Sequence, residues 1–311
     1  MSCTSGQSGV VWLAGERPPL RRISFRPQRK VITATTGPMA RRTPWLFFVL
    51  TFALSWAVWI PTAVAQRPAS RAFLTLGAFA PSLVGIALVT WMSTGEQRVD
   101  FWKRIVDWRA ISSGWYATII LIFPAIMAAG FVVTALTGGP FPPLKSAVGV
   151  LGHPALLLGF VVTMFVGGPL AEELGWRGYA LDRLQQGWGA LGGTLILAAV
   201  WILWHLPLFY IRGTSQQLMG LGSVRSLVWA VQLLALTVLI TWVFNHTHRS
   251  TLAALMVHLS SNATTTLVAG LGTPLPLRFE LGRTSVWVLA AVVALVSGLE
   301  TAGPIPRRVA A

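Results

Sequence analysis

The chain has 311 residues, of which 54% are hydrophobic and only 11% are charged. Soluble domains carry about 25% charged residues, so this composition excludes a soluble globule and indicates a polytopic membrane protein. The net charge is +15, but the basic residues cluster near the chain ends and between apolar runs, which favours membrane orientation over nucleic-acid binding. The single cysteine, Cys3, excludes an internal disulfide framework and a cysteine-based metal cluster.

Residues 1–44 are polar, basic and rich in Arg, Pro, Ser and Thr, without apolar periodicity, so we expect a disordered segment. They contain no apolar stretch long enough for a signal peptide. Met39 stands just before two arginines and the first apolar run. An alternative is therefore that translation starts at Met39 and that residues 1–38 are a mis-assigned extension.

Eight apolar runs follow, each close to the roughly 20 residues that a membrane-spanning helix needs. They predict an all-α membrane bundle of about eight transmembrane helices in one domain, residues 45–303, with a cytoplasmic tail at 304–311. The runs cover residues 45–65, 73–92, 115–136, 154–184, 191–211, 227–244, 252–271 and 285–299.

The distribution of basic residues predicts the orientation. The segments on the side of the two termini hold 17 Lys and Arg residues, and the other side holds 7. By the positive-inside rule both termini are cytoplasmic. If residues 1–38 are absent, the counts become 11 and 7. Arginine outnumbers lysine 21 to 3, which is typical of a GC-rich bacterial genome, so we expect a multi-pass protein of a bacterial cell membrane.

Ionisable or strongly polar side chains interrupt the apolar runs at four places. A charge at mid-membrane depth costs roughly 2.5–3.5 kcal/mol on insertion scales, so such groups face the bundle interior or a wet cavity. These residues are Glu172 and Glu173 with Arg177, His205, His258 and Asn262.

Helix periodicity relates several of these side chains. Glu173 and Arg177 are four residues apart and share a face, so Arg177 can hold one glutamate ionised. Glu172 projects about 100° away from Glu173, which leaves one carboxylate for structure and the other free to react. His258 and Asn262, also four residues apart, share a face of another helix.

The depth of these residues in the membrane is a second criterion for whether they can meet. A turn near Gly187 and Trp188 would fold the fourth and fifth runs into a hairpin. At about 1.5 Å per residue, Glu172 and His205 then lie roughly 22–26 Å from the turn, at nearly the same level. His258 approaches from the same side after the next cytoplasmic loop. We therefore expect three helices to converge on one buried polar site.

Each polar group also has a purely structural interpretation, as a buried ion pair, a packing histidine or an interhelical hydrogen bond. Their coincidence at one depth favours hydrolytic chemistry. In one scheme a glutamate acts as general base on a water that attacks a peptide carbonyl, with histidines and asparagine stabilising the oxyanion. In the other, Glu172, His205 and His258 bind Zn²⁺ and the second glutamate is the base. The sequence lacks His-Glu-x-x-His and asparagine is an unusual zinc ligand, so the metal-free scheme is slightly favoured.

At these residues the chain resembles the CPBP family of membrane proteases. This family comprises CAAX proteases and bacteriocin-processing enzymes, was formerly called Abi, and is related to the Ras-converting CAAX endopeptidase. The resemblance covers about residues 150–265 and rests on three motifs in order: Glu-Glu-x-x-x-Arg at 172–177, aromatic-x-x-x-His at 201–205 and His-x-x-x-Asn at 258–262. Trp201 stands where the family pattern has Phe, so an aromatic residue is kept.

The resemblance implies an intramembrane endopeptidase that cleaves near the C-terminus of a membrane-associated protein or processes peptides. Its partners would be a peptide or protein substrate and the lipid bilayer, not nucleic acid. The family has been described both as metalloproteases and as metal-independent glutamic proteases, so zinc remains an alternative. The residues taken over as catalytic are Glu172 as base, Glu173 and Arg177 as its support, and His205, His258 and Asn262 as water- and oxyanion-binding groups.

Two other classes of protein stay open from the sequence. A proton-coupled transporter would use the glutamates as a relay, but we find no inverted repeat and no pair of Gly- or Pro-broken helices. A non-catalytic immunity or scaffold protein would not need a complete polar site, and here the site is complete.

Overall fold

The computed structural model describes residues 38–65, 70–270 and 274–299. These ranges are helical and contain no strand, which confirms the predicted all-α membrane bundle. The first helix already includes residues 38–44, which we expected to belong to the disordered segment. The expectations for residues 1–37, for the end of the domain at 300–303 and for the tail at 304–311 lie outside the described residues.

The α-helices of the described ranges follow one another with short connections. In chain order they are α1 (Pro38–Val64), α2 (Arg71–Ala78), α3 (Ala80–Met92), α4 (Gly95–Val106), α5 (Ser113–Leu136), α6 (Lys145–Leu151), α7 (Pro154–Val166), α8 (Pro169–Gly175), α9 (Asp182–Trp204), α10 (Ser215–Met219), α11 (Val224–His246), α12 (Thr251–Ala269) and α13 (Leu277–Val296). Two 3₁₀ segments, Trp108–Ala110 and Leu206–Tyr210, and one π-helical segment, Trp176–Leu181, complete the set.

Seven stretches of the described chain are long and apolar enough to cross a membrane. One of them, Pro154–Tyr210, has 57 residues and contains the predicted fourth and fifth runs together. Within it α9 turns back at Gly189, whose φ of 69° and ψ of 175° are non-helical. A positive φ favours glycine, which has no Cβ to clash with the backbone. This is the predicted hairpin, with its turn next to Trp188.

The last helix begins earlier than the sequence predicted. The apolar run was expected from residue 285, whereas α13 starts at Leu277. Two charged residues in its first turns are neutralised inside the bundle: Arg283 Nη2 donates to Glu280 Oε2 at 2.9 Å. Gln232 Nε2 on α11 donates to the same oxygen at 2.9 Å. Paired in this way, the charges no longer prevent the helix from entering the membrane.

Tryptophan side chains fasten α1 to the helices around it. Trp204 Nε1 donates to Ser55 Oγ at 2.8 Å, and Ser55 Oγ donates to the Gly77 carbonyl oxygen at 2.8 Å. Trp56 Nε1 donates to the Trp204 carbonyl oxygen at 3.1 Å. Each polar tip therefore has a partner, as an apolar environment requires. These bonds fix the end of α9 against α1 and α2.

A buried ion cluster joins α4, the start of α9 and the turn between α11 and α12. Arg104 Nη1 donates to Asp182 Oδ2 at 2.8 Å, and Arg249 Nε donates to Asp182 Oδ1 at 2.8 Å. Burial disfavours the charged form of Arg249, but its bond to Asp182 outweighs this and raises the pKa of the guanidinium above its usual value. The cluster therefore stays ionised and ties three elements together.

Helices α3 and α8 approach each other at glycines. A Cβ added at Gly175 would lie 2.2 Å from the Pro81 carbonyl oxygen, and one added at Gly85 would lie 2.9 Å from Gly175 Cα. Small residues at helix crossings let two backbones approach closely in membranes. Because α8 carries Glu172 and Glu173, this contact sets the position of both carboxylates.

We expect Gly175→Ala to destabilise the protein by about 1–3 kcal/mol, because the added methyl group meets backbone atoms that cannot move aside locally. Thermal unfolding in detergent, followed by tryptophan fluorescence, measures the effect. Gly114→Ala is the matched control, since a Cβ there meets nothing within 4 Å. Equal unfolding midpoints for the two variants would contradict the close packing.

Candidate active site

Glu173 and Arg177 form a buried ion pair on α8 and the π-helical segment that continues it. Both residues are 0% exposed. Arg177 Nη1 donates to Glu173 Oε1 at 2.8 Å, as their spacing predicted. The π-helical turns begin at Trp176, directly after α8. Such turns within α-helices are frequent at functional sites.

His258 on α12 is the second partner of Glu173. Its Nδ1 lies 2.7 Å from Glu173 Oε1, the same oxygen that accepts from Arg177. An ionised carboxylate only accepts, so His258 Nδ1 donates and a neutral ring keeps its lone pair on Nε2. Glu173 is thereby enclosed between a guanidinium and an imidazole.

Glu172 has different surroundings. It lines a cavity of about 610 Å³, whereas Glu173 does not. Trp201 Nε1 donates to Glu172 Oε2 at 2.7 Å. Within the described ranges no other hydrogen bond is formed to Glu172, so Oε1 remains available to a molecule in the cavity.

His205 and Asn262 line the same cavity. His205 Nδ1 lies 2.7 Å from the Trp201 carbonyl oxygen, so Nδ1 donates and a neutral ring presents Nε2 as an acceptor. Asn262 lies against Gly168 at the break between α7 and α8. A Cβ at Gly168 would lie 2.7 Å from Asn262 Nδ2 and 3.8 Å from His258 Nε2. The glycine therefore makes room for the asparagine amide.

The structure brings all the predicted site residues together, but in two layers. The hairpin places α9 beside α8 as predicted, since Trp201 reaches Glu172 across 29 residues of sequence. The buried layer contains Glu173, Arg177 and His258, and the cavity layer contains Glu172, His205 and Asn262.

Trp201 makes more contacts in the site than the sequence predicted. From the sequence it was expected only to be an aromatic residue at the position where the family pattern has Phe. Its indole N–H holds Glu172, its ring centroid lies 4.5 Å from Arg177 Cζ, and its carbonyl oxygen fixes His205. Phenylalanine would reproduce the ring contact but not the N–H donor. The sequence did contain a signal for this role, because a tryptophan buried in apolar surroundings needs a hydrogen-bond partner for its indole N–H.

The grouping of these side chains bears on the zinc alternative. The candidate ligands were Glu172, His205 and His258. In the described parts of the chain, no three His, Cys, Asp or Glu side chains are grouped so that they could hold a metal ion. His258 Nδ1 is engaged by Glu173, while Glu172 and His205 face the cavity, so this grouping does not support the tetrahedral donor set that zinc prefers.

The fold and the site define a class of protein: a membrane-embedded helical bundle with carboxylate, imidazole and amide groups at an internal cavity. Residues 154–264, which span α7 to α12 and carry both layers, match the family described as "Type II CAAX prenyl endopeptidase Rce1-like". A similar protein is CAAX prenyl protease 2 of Methanococcus maripaludis. The two are 24% identical over 236 residues, which cover 73% of this chain and 85% of the relative.

The family match and the relative both support a CAAX protease of the CPBP type. The chain is an integral, multi-pass membrane protein and an intramembrane endopeptidase, a hydrolase that acts on a peptide or protein substrate in a lipid bilayer. The predicted family resemblance is thus confirmed. The protease interpretation is favoured over the transporter and scaffold alternatives.

We expect Trp201→Phe to lower kcat about tenfold or more with little change in KM. The ring packing is kept, but Glu172 loses a hydrogen bond of the kind that contributes about 1.5–3 kcal/mol when one partner is charged. Peptide cleavage by purified protein in liposomes measures both constants. Trp56→Phe is the matched control, since it also removes one indole hydrogen bond but lies outside the cavity. Equal losses in both variants would contradict a specific role for Trp201.

Proposed function

We propose that Glu172 is the general base of peptide-bond hydrolysis. The observation that carries this assignment is the unequal environment of the two adjacent glutamates. Glu172 lines the cavity and has one oxygen unengaged, while Glu173 is enclosed by Arg177 and His258. A base of this kind contributes about 10²–10⁴-fold to the rate.

The first chemical step activates water. A water between Glu172 Oε1 and His205 Nε2 gives a proton to the carboxylate while its oxygen attacks the carbonyl carbon of the scissile bond. His205 donates Nδ1–H to Trp201, so its neutral ring can only accept at Nε2. It therefore orients the water and does not stabilise the oxyanion.

Asn262 is the donor for the oxyanion. Its Nδ2 lies beside Gly168 in the wall of the cavity and carries two N–H groups. An amide aimed at the developing negative charge stabilises the tetrahedral intermediate. When that intermediate collapses, the proton on Glu172 passes to the leaving nitrogen, the C–N bond breaks and the carboxylate is regenerated. The sequence-based scheme gave histidine and asparagine one shared role at the oxyanion. Here His205 orients the water and Asn262 stabilises the oxyanion.

The buried layer acts by positioning. Glu173 and Arg177 neutralise each other behind the base, and Arg177 lies 4.5 Å from the ring centroid of Trp201, which holds Glu172. His258 ties this layer to α12, the helix that also carries Asn262. A shift of one of these helices would therefore move base and oxyanion donor relative to each other.

The proposed substrate is a peptide or a membrane-associated protein that is cleaved near its C-terminus. The name of the relative from M. maripaludis refers to CAAX prenyl substrates, and we propose the same kind of C-terminal processing here. The distribution of basic residues supports cytoplasmic termini in a bacterial cell membrane. Trp59, near the C-terminal end of α1, lines the cavity, so in that orientation the cavity lies toward the opposite face of the membrane.

We expect Glu172→Gln to lower kcat by about 10²–10⁴-fold, because the amide cannot take a proton from water. Its unfolding midpoint should hardly change, since the remaining carbonyl oxygen still accepts from Trp201. Cleavage of internally quenched peptides in liposomes gives the rate. Turnover equal to that of the wild type would overturn the assignment.

Glu173→Gln provides the contrast within the same pair. It leaves Arg177 as an uncompensated buried charge, and removing one partner of a buried ion pair costs about 3–5 kcal/mol. The expected result is therefore a lower unfolding midpoint, which Glu172→Gln does not share. Similar stability of both variants would contradict the division of the site into two layers.

We also expect hydrolysis without a metal ion, because the donor side chains are not grouped as zinc ligands. Dialysis of the purified protein against 1,10-phenanthroline and EDTA should leave kcat unchanged, and elemental analysis should find less than one bound metal per chain. Loss of activity that Zn²⁺ restores would favour the zinc alternative instead. The unfolding midpoint before and after dialysis controls for damage by the chelator.

A further inference from the structure

A second cavity, of about 300 Å³, adjoins the cavity of the active site. The two share Ser215, Gln216 and Asn262 in their walls. From Asn262 the second cavity follows α12 to Gly270, a distance of about 12 Å at about 1.5 Å per residue. Because the two cavities share these wall residues, the second cavity offers space along α12, from Asn262 onward, for the end of a peptide bound at the active site.

Arg283 lines the second cavity from α13 and is only 2% exposed. Its Nη1 donates to Thr265 Oγ1 at 3.0 Å, and its Nη2 donates to Gln232 Oε1 at 3.2 Å and to Glu280 Oε2 at 2.9 Å. Its Nε has no hydrogen-bond partner among the described residues. Arg283 is thus rigidly held, with one buried donor unused.

Arg225, at the start of α11, lines the same cavity and is half-buried. Its Nη1 donates to the Leu275 carbonyl oxygen at 2.7 Å. In the described ranges no carboxylate lies within ion-pair distance of Arg225, whereas Arg283 is balanced by Glu280. The wall of this cavity therefore carries a half-buried guanidinium without a carboxylate partner among the described residues, and an anionic ligand would supply the missing negative charge.

We propose that the second cavity is a carboxylate-binding subsite, in which Arg225, with Arg283 behind it, holds the C-terminal carboxylate of the peptide substrate. Guanidinium groups match carboxylates in charge and in planar, two-point geometry. At about 3.3 Å per extended residue, the path from Asn262 holds only a few residues. The subsite would thus set the number of residues between the scissile bond and the C-terminus of the substrate. This inference rests on the proposed function, because it extends the same binding path.

A lipid phosphate has the same charge and could occupy the cavity instead. The peptide is favoured because both cavities are lined by Asn262, the proposed oxyanion donor. An acidic side chain within the substrate is a further source of a carboxylate. The experiment therefore has to separate three sources of negative charge.

The test measures binding without turnover, in the Glu172→Gln protein in phosphatidylcholine nanodiscs. The probe is a mixture of short fluorescent random-sequence peptides without Asp or Glu, prepared with a free C-terminal carboxylate or as the C-terminal amide. We expect the amide to bind about 10- to 100-fold more weakly, because one charge-assisted interaction is lost. In Glu172→Gln/Arg225→Gln both forms should bind equally weakly, and Arg225→Lys should restore part of the difference.

Arg278→Gln is the matched control. Arg278 is exposed near the same end of α13 and lines neither cavity, so the variant changes the net charge equally. It should preserve the preference for the free acid. A preference that is lost equally in Arg278→Gln would overturn the proposal in favour of a general charge effect.

Equal affinity for acid and amide in the protein with Arg225 intact would overturn the subsite, and so would a preference that survives Arg225→Gln. If phosphatidylglycerol in the nanodisc abolishes the preference, a lipid phosphate occupies the site and the proposal fails. A peptide that carries an internal Asp and a C-terminal amide should bind as weakly as the plain amide; tight binding would favour a side-chain carboxylate. Because binding is measured without hydrolysis, these outcomes are independent of whether Glu172 is the base, which the kcat of Glu172→Gln tests separately.

Discussion

The structure depends on the need to satisfy two adjacent carboxylates inside an apolar helical bundle. An uncompensated charge is costly there, so each glutamate needs a partner for its carboxylate. Glu173 receives a guanidinium and an imidazole, whereas Glu172 receives a single indole N–H. The carboxylate with two partners, one of them a guanidinium, is held as structure, and the carboxylate with a single neutral donor faces the cavity. The difference in compensation is the physical basis for assigning different roles to two identical side chains.

Trp201 connects the two layers of the site. It donates to Glu172, covers Arg177 with its ring and fixes one tautomer of His205 through its carbonyl oxygen. The remaining fold supports this arrangement. The turn at Gly189 returns α9 alongside α8, and the close approach at Gly175 sets the position of α8 against α3. Small backbone features far from the cavity therefore decide where Glu172 lies.

The two adjoining cavities give a physical reason for the charged residues that open α13. Glu280 and Arg283 are paired within the bundle, and Arg225 on α11 adds a positive charge without a carboxylate partner among the described residues. In a membrane such groups are kept where they serve a ligand or a conformational step. The same network explains why α13 reaches beyond its apolar run. The length of α13 and the lining of the second cavity are thus linked through the same side chains.

The sequence by itself determined the membrane class, the helical bundle, the three motifs and the Glu173–Arg177 pair. These features depend on composition or on neighbours within one turn of helix, which periodicity predicts directly. The sequence also placed Glu172 level with His205, because in a helical hairpin the number of residues between a side chain and the turn determines its depth in the membrane. Only the tertiary structure decided which donor meets which carboxylate. His258 reaches Glu173 across 85 residues, and Trp201 reaches Glu172 across 29. Such contacts depend on the rotation and crossing of packed helices, and motif spacing within one helix does not specify either quantity.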